Sequence, residues 1–358
     1  MIYLDNNATT QPSFEYLEKS ARIVYEDFAN PSSTHFEGEK ARSHIEDARS
    51  KIAKSINCKP GEVYFTSGGT EANNIALAKK MVAVIASETD HSSIYEKAMF
   101  KIRVETSGEI DLDALSKTAN DYKSALIATL LVNNETGVIQ PTQEIRSLCE
   151  KFGIQWHIDA VQAWGKHGIN CDVKDLGCDT MSLSAHKVHG FKGLGALYVK
   201  DGIKTNPLFR GGSHERGIRP GTENIFGIVH LGVVVDVWIK NPPPDLSILR
   251  DRLENKLSKI SQINGSKNRV GSTSNLWFPD VRDLDLFLMK LGDAGIMASG
   301  KSACSSGMSA PSRVIMAMFG EDSARLNGSI RLSLSKNTTE GEIDQAAETI
   351  QQIVRDGC

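Results

Sequence analysis

The alternation of short apolar runs with helical patterns between residues 13 and about 240 constrains the fold most strongly. The apolar runs lie at residues 63–65, 82–86, 126–132, 156–158, 180–183 and 196–199, with helical patterns such as 38–55 and 142–152 between them. This order predicts an α/β fold whose mostly parallel sheet is covered by helices on both faces. Ligands are then expected at the carboxyl ends of the strands.

Three consecutive prolines, at positions 242–244, mark the end of this alternating region. Proline cannot continue a helix, and a new helical pattern opens near residue 246. We therefore predict a large domain over residues 13–244. Residues 1–12 together with 245–358 are predicted to form a smaller α+β domain.

Composition limits the environment of the protein and its partners. The 41 basic and 44 acidic residues give a net charge of -3, which provides no general field for direct nucleic-acid binding. The six cysteines lack paired spacing, which argues against a disulfide framework or a zinc ribbon. The first residues do not resemble a signal peptide, and the apolar stretch 225–239 is too short to span a membrane and reads as a buried helix. We expect a cytoplasmic protein without a membrane partner.

Lys187 is the first candidate for chemistry. It follows the apolar run 180–183 almost directly and stands beside Ser184 and His186. A lysine in this position can form a Schiff base with an aldehyde cofactor that bears a phosphate, which proposes pyridoxal 5'-phosphate. His186 and His189 are spaced like a metal pair, but no third ligand of matching kind follows, so no metal is predicted.

The segment 67–74 (SGGTEANN) is a candidate phosphate site, because it follows an apolar run and precedes a helical pattern. Glycines allow close backbone approach, and the amides at a helix start favour an anion. The alternative is an ordinary turn capped by Ser67 or Thr70. The segment matches neither common nucleotide-binding motif.

Three further polar residues follow predicted strands. Asp159 can pair with a protonated pyridine nitrogen, or simply cap the next helix. Asn134 can bind a ring hydroxyl or a substrate carboxylate, or belong to an ordinary turn. His91 can stack on a planar cofactor or carry a proton, although a lone loop histidine is usually inert.

The ordered set of motifs resembles the pyridoxal-phosphate-dependent cysteine desulfurases of the class V aminotransferase group. The resemblance spans essentially the whole chain, and only the complete order of motifs makes it specific. The motifs are 3–10 (YLDNNATT), 30–33 (NPSS), 67–74 (SGGTEANN), 132–137 (VNNETG), 157–162 (HIDAVQ), 184–187 (SAHK), 219–222 (RPGT), 302–304 (SAC) and 329–331 (SIR). It implies the aminotransferase-like fold of type I pyridoxal-phosphate enzymes.

Site roles for this chain follow from the resemblance. Lys187 would bind the cofactor covalently, Asp159 would pair with its ring nitrogen, Gln162 would contact its ring hydroxyl and His91 would stack over the ring. The cofactor phosphate would be held by Gly69, Thr70, Ser184, His186 and, from the neighbouring subunit of a homodimer, Thr222. Asn134, which would also contact the cofactor, and Arg331 would bind the substrate carboxylate. An arginine within a short strand, such as Arg331 in residues 330–332, by default faces solvent. A guanidinium does, however, suit a carboxylate.

Cys304 determines the predicted reaction. It stands among small and polar residues that would expose a thiol, whereas a small core cysteine is the alternative. The resemblance implies that L-cysteine is converted to L-alanine, with Lys187 moving the Cα proton and Cys304 keeping the sulfur as a persulfide. A sulfur-acceptor protein, either a scaffold or a sulfur carrier, would then receive it for iron-sulfur cluster assembly, tRNA thiolation or DNA phosphorothioation.

Other functions stay open at this level. The chain could be a selenocysteine lyase or another pyridoxal-phosphate enzyme for a small amino acid. From a different class, it could be a sulfur-acceptor scaffold without cofactor. Three departures from the family pattern are Lys301, where a small residue is usual, Phe191, where proline is usual and where we expect only the turn after Lys187 to change, and the interval of only 16 residues between Asn74 and His91, which is shorter than usual.

Overall fold

The computed structural model describes residues 1–79, 82–300 and 311–357. In chain order its strands and α-helices are β1 (Ile2–Tyr3), α1 (Phe14–Glu26), α2 (Phe36–Ser55), β2 (Val63–Thr66), α3 (Gly69–Ala76), β3 (Val84–Ser87), α4 (Ser92–Tyr95), β4 (Phe100–Ile102), α5 (Leu112–Asp121), β5 (Leu126–Leu130), α6 (Thr142–Phe152), β6 (Gln155–Asp159), α7 (Val173–Leu176), β7 (Thr180–Ser184), β8 (Gly195–Val199), α8 (Ile225–Lys240), α9 (Ser247–Leu257), β9 (Gln262–Ile263), β10 (Thr273–Trp277), α10 (Leu284–Asp293), β11 (Ile296–Met297), α11 (Arg313–Phe319), β12 (Ser329–Ser333) and α12 (Glu340–Arg355).

A seven-stranded sheet forms the centre of the molecule, with strand order β2-β8-β7-β6-β5-β3-β4. Strand β8 runs antiparallel to both neighbours, and the pairs among β7, β6, β5, β3 and β4 are parallel. Every residue of β5, β7 and β8 is buried, as expected for strands covered on both faces. The prediction of an α/β fold with a mostly parallel sheet is confirmed.

Two local predictions differ from the structure. The run 126–132 ends as a sheet strand at Leu130, because Val132 instead forms an antiparallel bridge with Ile139 around a tight turn. Phe191 changes more than a turn, since its ring stacks on Phe226 at 5.4 Å and lies 4.3 Å from the ring of His230. It therefore packs against α8.

Helix α8 confirms the buried helix predicted from its apolar sequence, and it packs against α1 and α2. At Gly232 an added Cβ would lie 2.7 Å from the Cβ of Ala48, so only glycine permits this close approach to α2. In the three described ranges no helix is both long and apolar enough to cross a membrane.

The C-terminal part forms a three-stranded antiparallel sheet, β12-β10-β9, with its own apolar cluster. The N-terminal strand β1 belongs with this part, because it pairs with β11 and because Leu4 is buried in the same cluster. Helix α8 ends at Lys240 and α9 begins at Ser247, with the three prolines between them. The domain boundary at residue 244 remains a prediction.

Candidate active site

A cleft of about 680 Å³, counted out to its open mouth, lies where the carboxyl ends of β5, β6 and β7 meet the N-terminal segment. The predicted site residues that line it are Gly69, Thr70, His91, Asn134, Asp159, Gln162, Ser184, His186, Lys187 and Arg331. Thr222 is exposed and does not line this cleft. Cys304 and Lys301 lie outside the described residues.

Lys187 reaches the cleft at the end of a short 3₁₀ turn, Ala185–Lys187, that follows β7 directly. Its Nζ donates hydrogen bonds to the carbonyl oxygens of Asn7 at 2.5 Å and Ala8 at 2.8 Å. The backbone amide of Thr10 donates to the carbonyl of His186 at 2.9 Å. The N-terminal segment thus lies across the lysine and positions its amine.

The anion cradle is formed by the start of α3. Gly68 precedes this helix and no side chain caps it, so the alternative of a turn capped by Ser67 or Thr70 is wrong. An added Cβ at Gly69 would lie 2.5 Å from the Cγ2 of Val161, so the backbone needs glycine here. The uncapped amides therefore remain available for a phosphate.

His186 stands beside this cradle as a neutral donor or acceptor. Burial, together with the neighbouring positive charge of Lys187, lowers the pKa of His186 to about 4. Its Nδ1 lies 3.2 Å from the hydroxyl of Thr9. At neutral pH this imidazole can hydrogen-bond a phosphate oxygen but adds no positive charge.

We call Asn73, Ser93, His157, Asp159 and Thr180 the floor network. Asp159 is 2 % exposed, and its carboxylate accepts from the amide of Asn73 at 2.7 Å and from the backbone N–H of Val161 at 3.0 Å. Asp159 does not cap an α-helix, since the residues after it form turns. Its carboxylate lines the cleft, where it can face a protonated ring nitrogen.

Sequence reasoning missed Asn73 and His157. The Oδ1 of Asn73 lies 2.9 Å from Nε2 of His157, whose Nδ1 lies 2.8 Å from the hydroxyl of Thr180. Burial lowers the pKa of His157 to about 3. A signal was present, because the helical spacing of Ala72, Asn73 and Ala76 places the asparagine on the buried side of α3.

We call Asn7, Gln162 and Arg331 the rim. Arg331 is 2 % exposed, so the default of a solvent-facing arginine is wrong. Its Nη1 donates to the carbonyl of Asn134 at 2.9 Å and its Nη2 to Asp5 at 2.7 Å. Gln162 donates to the carbonyl of Asn7 at 2.9 Å.

The rim leaves three buried polar atoms without a partner among the described residues. They are Oδ1 of Asn7, Oε1 of Gln162 and Nε of Arg331. Buried polar atoms are nearly always paired, so unpaired ones on one cleft indicate that a ligand completes them. A lysine amine, a buried carboxylate, an anion cradle and open polar groups together fit pyridoxal phosphate.

The two remaining histidines of the sequence prediction differ in whether they line the cleft. His91 caps α4, and its Nδ1 accepts the backbone N–H of Ser93 at 3.2 Å while its ring lines the cleft. His189 binds the carbonyl of Gln11 through Nδ1 at 2.8 Å and does not line the cleft. Within the described ranges, no three histidine, cysteine or acidic side chains group to hold a metal.

Comparison with known proteins agrees with this geometry. The family model described as aminotransferase class-V matches residues 2–346. Cysteine desulfurase 2 of Trichormus variabilis is 38% identical over 99% of this chain and 93% of its own length. Cysteine desulfurase IscS of Clostridium botulinum is 36% identical over 99% of this chain and 94% of its own length.

Solved structures of NifS-like proteins and of SspA have a similar fold. A NifS-like protein superposes with a TM-score of 0.89 at 30% identity, covering 99% of both chains. A NifS-like protein from Rickettsia africae has a TM-score of 0.90 at 29% identity, with 99% of both chains covered. SspA in complex with cysteine has a TM-score of 0.81 at 29% identity, covering 95% of this chain and 100% of its own.

The fold and these relatives define an enzyme that works with an aldehyde cofactor. The chain belongs to the class-V aminotransferase family and, within it, to the cysteine desulfurases. It is a pyridoxal-phosphate-dependent enzyme.

Proposed function

We propose that this enzyme converts L-cysteine to L-alanine and passes the sulfur, as a persulfide on Cys304, to an acceptor protein. The observation that carries the proposal is the convergence of Lys187, Asp159 and Arg331 on one cleft. Relatives named cysteine desulfurase, 36–38% identical over 99% of the chain, support the choice of substrate.

The residues that line the cleft have separate roles in the reaction. When bound, pyridoxal phosphate supplies an aldehyde for the substrate amine and a ring that takes up the electrons of the broken Cα–H bond. The start of α3, with Thr70, Ser184 and His186, holds the phosphate. Asp159 keeps a proton on the ring nitrogen, and Nζ of Lys187 removes and returns protons at the substrate.

Arg331 orients the amino acid. Its guanidinium is buried and held between Asp5 and the carbonyl of Asn134, with Nε open among the described residues. A carboxylate of the substrate accepts hydrogen bonds from the guanidinium of Arg331 and from the side-chain amide of Asn134. A substrate without a carboxylate would leave the buried cation only partly satisfied.

Cys304 is the proposed sulfur acceptor within the chain. Its thiolate attacks the substrate sulfur and the C–S bond breaks. The electron pair of that bond passes to the carbon, which takes up a proton, returned by Nζ of Lys187, and becomes the alanine methyl group. Of the other thiols, burial raises the pKa values of Cys58, Cys149 and Cys171 to about 12, and burial also raises that of Cys178. These four are protonated at neutral pH and are poor nucleophiles.

We infer a homodimer in which Thr222 completes the phosphate site of the neighbouring subunit. Thr222 is exposed and outside the cleft of its own chain. Four large apolar side chains at α1 and α2 support a partner surface, since Phe14, Tyr25, Phe28 and Phe36 are 68% to 85% exposed. We place the enzyme in the cytoplasm, and the sulfur acceptor is a separate protein.

Purified protein reconstituted with pyridoxal phosphate tests the proposal. We expect a visible absorption band, alanine formation from L-cysteine and a persulfide mass on the peptide that contains Cys304. Cys304→Ser should keep the absorption band and lose sulfur transfer, while Cys58→Ser, the matched control, should keep both. Normal sulfur transfer by Cys304→Ser would refute the persulfide assignment, and selenocysteine as the strongly preferred substrate would refute the choice of cysteine.

A further inference from the structure

Asn73 connects Asp159 and His91, the two residues proposed to contact the ring nitrogen and the face of the cofactor ring. It is 1 % exposed and lies on the inner side of α3. Its amide nitrogen donates to Oδ2 of Asp159 at 2.7 Å and to Oγ of Ser93 at 2.8 Å. Both amide hydrogens are therefore used, one toward Asp159 and one toward the loop that carries His91.

The direction of these hydrogen bonds is fixed by chemistry. An ionised carboxylate only accepts, so the nitrogen of the Asn73 amide faces Asp159 and its oxygen faces His157. The oxygen lies 2.9 Å from Nε2 of His157, which must therefore carry the proton. Nδ1 of His157 then accepts from the hydroxyl of Thr180 at 2.8 Å. Because burial holds the pKa of His157 near 3, this neutral tautomer persists at neutral pH.

Hydrogen bonds fix the tautomer of His91 in the same way. Because Oγ of Ser93 accepts from Asn73, its own hydrogen is available to Nδ1 of His91, which lies 2.7 Å away. The backbone N–H of Ser93 donates to the same nitrogen at 3.2 Å. With two donors pointing at Nδ1, the proton of the neutral His91 ring lies on Nε2, at the edge of the ring away from Ser93.

We propose that Asn73 is a positioning residue that sets His91 in its Nε2–H tautomer, through Ser93, while it orients the carboxylate of Asp159. The consequences for the cofactor rest on the function proposed above, but the tautomer follows from the hydrogen bonds alone. In its neutral form His91 then presents a hydrogen-bond donor, rather than an acceptor, at Nε2. One asparagine thus fixes both the ring-nitrogen partner and the histidine above the ring.

Nitrogen NMR on holoenzyme labelled with ¹⁵N-histidine tests the proposal. Signals of His91 are identified by their loss in His91→Gln, and we expect the Nε2–H tautomer in the wild type. Ser93→Ala should raise the share of the Nδ1–H form, because the hydroxyl donor is lost. Ser92→Ala is the matched control: a neighbouring exposed serine in the same helical turn whose substitution should leave the tautomer unchanged.

Asn73→Leu removes the hydrogen bonds from Asn73 to both Asp159 and Ser93. It should change the His91 tautomer as Ser93→Ala does and, because Asp159 also loses a donor, shift the absorption band of the bound cofactor. We expect about a tenfold loss of kcat from removing hydrogen bonds to a buried charged group. Ser93→Ala should leave the absorption band in place.

Three results would overturn the proposal: an Nδ1–H tautomer in wild-type holoenzyme, a tautomer ratio in Ser93→Ala equal to that of the wild type, or the same equality in a folded Asn73→Leu. If Asn73→Leu does not fold, Ser93→Ala alone decides. A failure of the proposed reaction is distinguishable, because absence of alanine formation leaves the NMR measurement unaffected.

Discussion

The floor network and the rim contact the same cleft and differ in how completely their polar atoms are paired. In the floor network, the side-chain polar atoms of Asn73, His157 and Asp159 all have protein partners. On the rim, Asn7, Gln162 and Arg331 each keep one buried atom without a partner in the described part of the chain. The floor is therefore preorganised by the protein alone, whereas the rim is completed by what binds.

Lys187 lies between these two regions, and its loss should have the largest effect. Lys187→Ala removes the amine that binds the cofactor and moves protons, so turnover of cysteine should fall by roughly 1,000-fold or more. Borohydride reduction should no longer attach the cofactor to the chain. Lys192→Ala, an exposed lysine in the same segment, is the control and should behave as wild type. A cofactor linkage that survives in Lys187→Ala contradicts this role.

Arg331→Lys tests whether the rim recognises the substrate. The charge is kept but the planar fork is lost, so KM for L-cysteine should rise by about 10-fold to 100-fold. Steady-state kinetics with cysteamine, which lacks the carboxylate, supply the comparison, because its KM should change little. Equal changes for both compounds would show that Arg331 supports the fold rather than the carboxylate.

Gly69→Ala tests the cradle between the two regions. The new Cβ would lie 2.5 Å from Val161 Cγ2, so the helix start must shift, and we expect a loss of about 1–3 kcal/mol in the free energy of unfolding. Denaturant unfolding of the cofactor-free protein measures this loss. Adding Val161→Ala should restore most of it. If the double variant is no more stable than Gly69→Ala, the cause is not this contact.

His157→Gln tests the floor network through pH. Folded His157 stays neutral down to about pH 3, whereas the unfolded chain binds a proton near its ordinary pKa of 6.5. Stability is therefore lost as the pH falls below 6.5, by about 2 kcal/mol at pH 5 for this group. Unfolding at several pH values should show a shallower acid dependence in His157→Gln than in the wild type. Parallel curves would mean that the pKa of His157 is the same in the folded and the unfolded chain.

The same contrast explains what could be predicted from the sequence. Asp159 and Lys187 follow apolar strands, and a local pattern is enough to place such residues at the edge of a parallel sheet. His157 lies within a strand, and its need for partners becomes visible only when β6 is known to be buried. Asp5 and Asn7 meet Arg331 and Thr273 across more than half of the chain, and no local pattern encodes such a contact.

The pairing of the first strand has a consequence for biosynthesis. Ile2 pairs with Ile296, and Asp5 forms a bridge with Ser333. The first segment of the chain therefore cannot form its native pairings until nearly the whole chain has been synthesised. The carbonyls that hold the Lys187 amine belong to this segment. On the ribosome the central sheet can form early, while the cleft closes only after residue 333 has emerged. A partly synthesised chain should therefore contain the lysine without yet forming a competent site for it.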